Sequence, residues 1–152
     1  MASLTYGEVF LRLTAAVAAG ALIGLDRELR RKPAGLRTLA LVALGSAVFI
    51  LETLDPARAS TEATSRVIQG IVTGVGFLGA GSIMRGAGEE PVRGLTTAAS
   101  IWLAAATGIA CGLANWPLVA GACLLGLLVL TITPVERAIH NRRKTDPKDP
   151  PG

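Results

Sequence analysis

The sequence predicts an all-α integral membrane protein, a bundle of five transmembrane helices with the N-terminus outside and the C-terminus in the cytoplasm. Three observations carry that expectation. Of the 152 residues, 51% are hydrophobic, 17% charged and only 4% aromatic, and the mean hydropathy is +0.51, a balance that suits lipid as the solvent for much of the chain. Apolar runs approach the length of about 20 residues that crosses roughly 30 Å of hydrocarbon, and they do so five times. The basic residues lie between these runs and collect on one side.

The runs cover residues 9–25, 38–54, 67–84, 95–113 and 116–133. The first has a small-residue stretch, Ala16 to Ala18, that resembles a signal cleavage site, but Glu8 and Arg12 stand where a basic leader region belongs, so a retained span is expected. Glu8 and Arg12 are four apart and can pair on one helix face. Five spans place the first loop (Arg27, Arg30, Arg31, Lys32, Arg37), the third loop (Arg85, Arg93) and the tail (Arg137, Arg142, Arg143, Lys144, Lys148) on one side, with Arg58 and Arg66 opposite. The side rich in Lys and Arg is cytoplasmic. Residues 1–136 thus form the membrane domain. Residues 137–152, rich in charge and proline, are expected to be a disordered cytoplasmic tail.

Composition also excludes function classes. The pI of about 9.7 does not imply nucleic acid, because the basic residues lack interleaved aromatics on which bases would stack. Cys111 and Cys123 both fall in apolar runs and read as small buried side chains. No nucleophile has a base nearby, the glycine-rich run lacks a following Lys-Ser or Lys-Thr pair, and His140 stands alone in the tail. The sequence therefore predicts no enzyme.

Three stretches carry what chemistry remains. The first is GLDRELRRKPAGLRT, residues 24–38, where the acid-to-base spacings Asp26 to Arg30 and Glu28 to Lys32 suit a helix emerging from the membrane. Pro33 should stop that helix and Gly35 should allow the reversal. The cations serve topology, but Asp26 and Glu28 do not, which leaves two readings of them. They pair with neighbouring cations, or they ligate a divalent cation that requires several oxygens; the residues favour pairing.

The second stretch, residues 69–88, places Gly70, Gly74, Gly76, Gly79 and Gly81 close together. Glycines let helices approach closely in lipid, and Gly20–Gly24, Gly70–Gly74 and Gly108–Gly112 all have GxxxG spacing. Packing within the bundle or across a dimer is one reading. A locally unwound helix lining a cavity, with Arg66, Gln69 and Thr73 on one face, is the other. In the third stretch, Thr96 or Thr97 is expected to cap the fourth span, and Thr96, Ser100, Ala104 and Gly108 form a small-residue stripe. Asp26, Glu28, Arg37, Arg85, Arg93 and Thr96 should share the inner face.

The ordered blocks GALIGLDRELRRKPAGLRTLALVALGSAVF, GIVTGVGFLGAGSIMR and VRGLTTAASIWLAAATGIACG resemble the membrane domain of the bacterial MgtC/SapB family over about residues 20–112. The resemblance implies a multi-pass inner-membrane protein tied to adaptation to low magnesium and, in pathogens, to virulence inside macrophages. Members bear magnesium-transport labels, while the action implied is on other membrane proteins, the rotary ATP synthase among them. Residues that match the family's motifs are Asp26, Arg27, Glu28, Gly35, Arg37, Thr38, Gly76, Gly79, Gly81, Arg93, Gly94, Thr96, Thr97 and Trp102, with Ser100 beside them. Many members continue into a soluble cytoplasmic domain, which this sequence is expected to lack as a short form.

Two function classes follow as expectations. One is a regulator whose small-residue faces bind other helices, in a homodimer or against other membrane proteins. The other is a magnesium conduit with Asp26 and Glu28 at its inner mouth. Magnesium is the only ion the residues bring into consideration, and the fixed charge of Arg66 near the outer half opposes its passage, which favours regulation.

Overall fold

Five helices make up the computed structural model: α1 (Tyr6–Leu29), α2 (Leu36–Glu52), α3 (Thr61–Gly81), α4 (Leu95–Gly112) and α5 (Trp116–Lys144). The structure describes residues 4–55, 59–83 and 92–144, with side chains through Thr131. Arg58, Arg85 and residues 145–152, on which part of the charge argument rests, lie outside the described residues.

The start of α1 differs from expectation. The Thr5 hydroxyl accepts from the Glu8 backbone N–H at 3.3 Å while the Glu8 carboxylate accepts from the Thr5 N–H at 2.9 Å, a reciprocal capping box. The box thus satisfies two backbone donors, the Thr5 N–H and the Glu8 N–H, and the Glu8 carboxylate does not pair with Arg12. Arg12 instead donates to the Gly112 carbonyl at 2.9 Å, satisfying a backbone acceptor at the end of α4 and tying the two helices together.

The α1–α2 turn also departs from the sequence reading. Helix α1 ends at Leu29, three residues short of Lys32, so Glu28 and Lys32 do not stack on a helix. The chain reverses through left-handed Arg31 (φ 52°) and Ala34 (φ 54°), whereas Gly35 is extended with φ −86°. Gly35 leaves room for the Glu28 carboxylate, which a Cβ there would displace.

Ser60 caps α3, accepting from the Ala63 N–H at 3.0 Å. The helix then runs unbroken through all its glycines. Each glycine costs a helix interior about 1 kcal/mol, too little to unwind it, so the unwound reading is corrected. Helix α4 opens on Gly94, left-handed at φ 96°, with no side-chain cap. A Cβ at Gly94 would overlap the Ser82 carbonyl, so this glycine is what lets the end of α3 lie against the start of α4. The expected threonine cap is absent because both hydroxyl-bearing side chains lie past the N-cap position, inside the helix.

Helix α4 is the hub, packed against each of the other four. Its contact with α2 is made by Gly108, where a Cβ would overlap the Ala43 carbonyl, and by Gly112, where a Cβ would lie 2.8 Å from Ile50. Gly20 and Gly24 of α1 press on α2 in the same manner, meeting the backbone at Leu39 and Leu36. The core is correspondingly small in side chain. One cluster joins Ala16, Ala19, Ala43, Ala47 and Cys111; the other centres on Ile23, Leu39, Ile101 and Ala104. Large apolar residues face outward instead, with Phe77 81% and Leu124 70% exposed.

By length and apolar composition two helices, α1 and α4, are able to cross a membrane; α2 has 17 residues, and the apolar part of α5 within the described residues is shorter than a span. Helix α5 extends through Lys144, so its backbone is helical where the tail was expected from residue 137. Between Val135 and Lys144 the sequence holds no glycine or proline to stop it.

Candidate functional site

The stripe Ala16, Ala19, Gly20, Ile23 and Gly24 buries one face of α1, and its next member at helical spacing is Arg27. Arg27 is only 2% exposed. Its guanidinium donates from Nε to the Ala34 carbonyl at 3.1 Å and from one terminal nitrogen to the Ser100 hydroxyl at 3.0 Å. The other terminal nitrogen donates to the Pro33 carbonyl at 2.8 Å and to the Thr97 hydroxyl at 2.7 Å. Ser100 passes its own proton back to the Thr96 carbonyl at 2.7 Å. One buried side chain therefore joins the end of α1, the following turn and the first turns of α4. All four acceptors are neutral, so the charge of Arg27 is solvated by dipoles and not neutralised.

Over Arg27 opens a cleft of about 960 Å³ lined by Asp26, Arg30, Lys32, Arg93, Gly94, Thr96 and Thr97 among others. Asp26 accepts from the Nε of Arg30 with both carboxylate oxygens, at 2.9 and 3.1 Å. This is the pair the spacing predicts. Among the described residues the cleft is lined by four cations and one carboxylate, and that carboxylate is already engaged, so the charge they bring to it is net positive.

Glu28 lies elsewhere. It accepts from the Leu36 N–H at 3.2 Å, capping α2 from across the turn. Among the described residues, no three His, Cys, Asp or Glu side chains come together as a metal cage. Arg37 and Thr38 are exposed on the first turn of α2 and line a different space, an apolar groove of about 780 Å³ between α2 and α3. Leu41, Gly45 and Phe49 form one wall of that groove, and Gly70, Ile71 and Gly74 the other. Gly70, Gly74, Gly76 and Gly81 have open space where a Cβ would stand, whereas Gly79 packs on Ala98 and Trp102 of α4. Arg66 pairs with Glu62 at 2.5 Å, both well exposed.

The structure thus gathers Asp26, Arg27, Arg93, Gly94, Thr96, Thr97 and Ser100 at one end of the bundle, sets Glu28 and Gly35 against each other beneath the turn, and separates Arg37 from both. Sequence reasoning assigned Arg27 to topology and missed its buried role. The signal was present in the helical spacing from Gly20 and Ile23 to Arg27.

Residues 13–141 match the MgtC family. The chain is 46% identical to Protein SrpB of Synechococcus elongatus over 70% of its own length and 64% of that protein's. It is 50% identical to Protein MgtC of Salmonella typhimurium, over 70% of its own length and 44% of that protein's. It is 39% identical to the "Putative magnesium transporter YhiD" of Escherichia coli, over 82% of its own length and 60% of that protein's. The chain spans about half of the length of the curated relatives it matches, rising to 64% for SrpB. No solved structure matches it.

Proposed function

The chain belongs to the MgtC family, and on that premise we propose that it is a multi-pass protein of the bacterial inner membrane, tied to adaptation to low magnesium and to virulence, that regulates other membrane proteins through helix contacts. Its five helices span the bilayer with the N-terminus outside and the C-terminus in the cytoplasm. Small side chains inside and large apolar ones outside support this, since helices in lipid associate through close backbone approach and turn bulky residues to the acyl chains. Its contacts are the bilayer, a second copy of the chain and membrane partners such as the rotary ATP synthase.

The observation that favours regulation over transport is the state of the two carboxylates. Asp26 is held by Arg30 and Glu28 by the Leu36 N–H, and the described residues lining the cleft beside Asp26 carry net positive charge, which repels a divalent cation. The open glycine face of α3 and the groove beside it offer a surface for another helix instead. The conduit reading keeps one support, the naming of the Escherichia coli relative as a putative magnesium transporter.

Thermal unfolding of the purified protein in detergent separates the two. Regulation predicts that Asp26→Asn lowers the midpoint by the same small amount with and without magnesium. Metal ligation by Asp26 predicts that magnesium stabilises the wild type and that Asp26→Asn abolishes this gain.

A further inference from the structure

The cleft over Arg27 is not explained by either reading of the carboxylates. We propose that it binds a phosphate-bearing anion, through Arg30, Lys32 and Arg93 at its rim and the first turn of α4 at its base. This goes beyond the regulatory role and stands whether or not the bundle conducts magnesium.

Four features converge. The side chains of Lys32 and Arg93 enter no hydrogen bond or ion pair among the described residues, although both line the cleft. Arg30 meets Asp26 through Nε alone, and the fork of its terminal nitrogens, the geometry that takes two oxygens of a phosphate, has no part in that pair. Helix α4 begins on Gly94 without a side-chain cap, so the backbone N–H groups of its first turn and its positive dipole end lie in the wall formed by Gly94, Leu95, Thr96 and Thr97. Beneath them lies the buried guanidinium of Arg27, whose hydrogen bonds all go to neutral oxygens, and its charge adds to the positive field at the floor of the cleft.

The chemistry of the ligand follows from these donors. A carboxylate has two oxygens, whereas a phosphate presents three to separate cations and N–H groups at once. A volume of about 960 Å³ admits a group larger than a bare ion, and Val92, Leu95 and Leu130 add apolar surface to its lining. Basic pockets between membrane helices on the cytoplasmic side suit anionic headgroups; a soluble phosphate meets the same donors. The shared chemistry is the phosphate group.

The test uses the full chain in neutral detergent, titrated with inorganic phosphate in one arm and with phosphatidylglycerol against phosphatidylcholine in the other, with the unfolding midpoint as readout. Lys32→Gln, Arg93→Gln and their combination remove cations whose side chains hold no hydrogen bond or ion pair among the described residues, so their midpoints without ligand should equal that of the wild type. Stabilisation by either probe, with the half-effective concentration rising about tenfold per cation removed, supports the site. A response to phosphatidylglycerol but not to inorganic phosphate assigns the source to lipid, and a response to inorganic phosphate assigns it to a soluble anion. No stabilisation by either probe, or an equal response in the wild type and the double variant, overturns the proposal.

Discussion

The guanidinium of Arg27 donates to the Thr97 hydroxyl at 2.7 Å, fastening the end of α1 to the first turn of α4 across 70 positions of sequence. Because Arg27 is buried and its acceptors are protein oxygens, each lost bond leaves a charged donor without water to replace the acceptor. Thr97→Val is expected to lower stability by about 1.5 to 3 kcal/mol. Arg27→Lys should cost at least as much, since an ammonium has no planar fork to reach Ala34, Pro33, Thr97 and Ser100 together. Thermal unfolding in detergent checks both.

The glycines divide into two kinds, and the division predicts opposite outcomes. Gly108→Leu drives a side chain into the Ala43 backbone and should prevent a stable bundle from forming. Gly74→Leu meets open space, so its unfolding midpoint should stay within about 0.5 kcal/mol of wild type while self-association in detergent changes. Light scattering after size exclusion reads the second effect; an unchanged mass would place the dimer contact elsewhere.

Glu8 and Arg12 are neighbours at helical spacing that serve different ends of different helices. Glu8→Ala removes half of the capping box, and Arg12→Ala frees the Gly112 carbonyl. A double-mutant cycle should therefore be additive within about 0.3 to 0.5 kcal/mol. A larger coupling would show that the two side chains do pair.

Gly35 and Glu28 should behave in the reverse way. Gly35→Ala displaces the Glu28 carboxylate and strips the Leu36 N–H of its acceptor. Gly35→Ala and Glu28→Ala each remove that one bond, so the double variant should cost clearly less than the sum of the two, by about 0.5 kcal/mol or more.

Much of this arrangement was legible in the sequence, and what was not has a physical reason. Helix positions followed from apolar runs, because burial and length both act over many residues. Asp26 and Arg30 pair as spaced, since Arg30, the residue that caps the end of α1, still keeps its backbone bond to the Asp26 carbonyl. Glu28 and Lys32 have the same spacing, yet left-handed Arg31 ends the helical register between them. Glu8 turned to its own N-terminus because free backbone donors lay closer than Arg12. The Gly94 start of α4 depends on the nearness of the Ser82 carbonyl, a contact between helices that no local pattern encodes. The same holds for Arg27: its spacing marked the buried face, but the hydroxyls that satisfy it come from α4.

The central claim, that the bundle regulates and does not conduct, is tested most directly by magnesium uptake into liposomes carrying the folded, purified chain, with Asp26→Asn alongside. The account predicts no uptake above that of empty liposomes for either protein. Uptake that requires the protein and falls in Asp26→Asn would contradict it and place the mouth of a magnesium path at the α1–α2 turn.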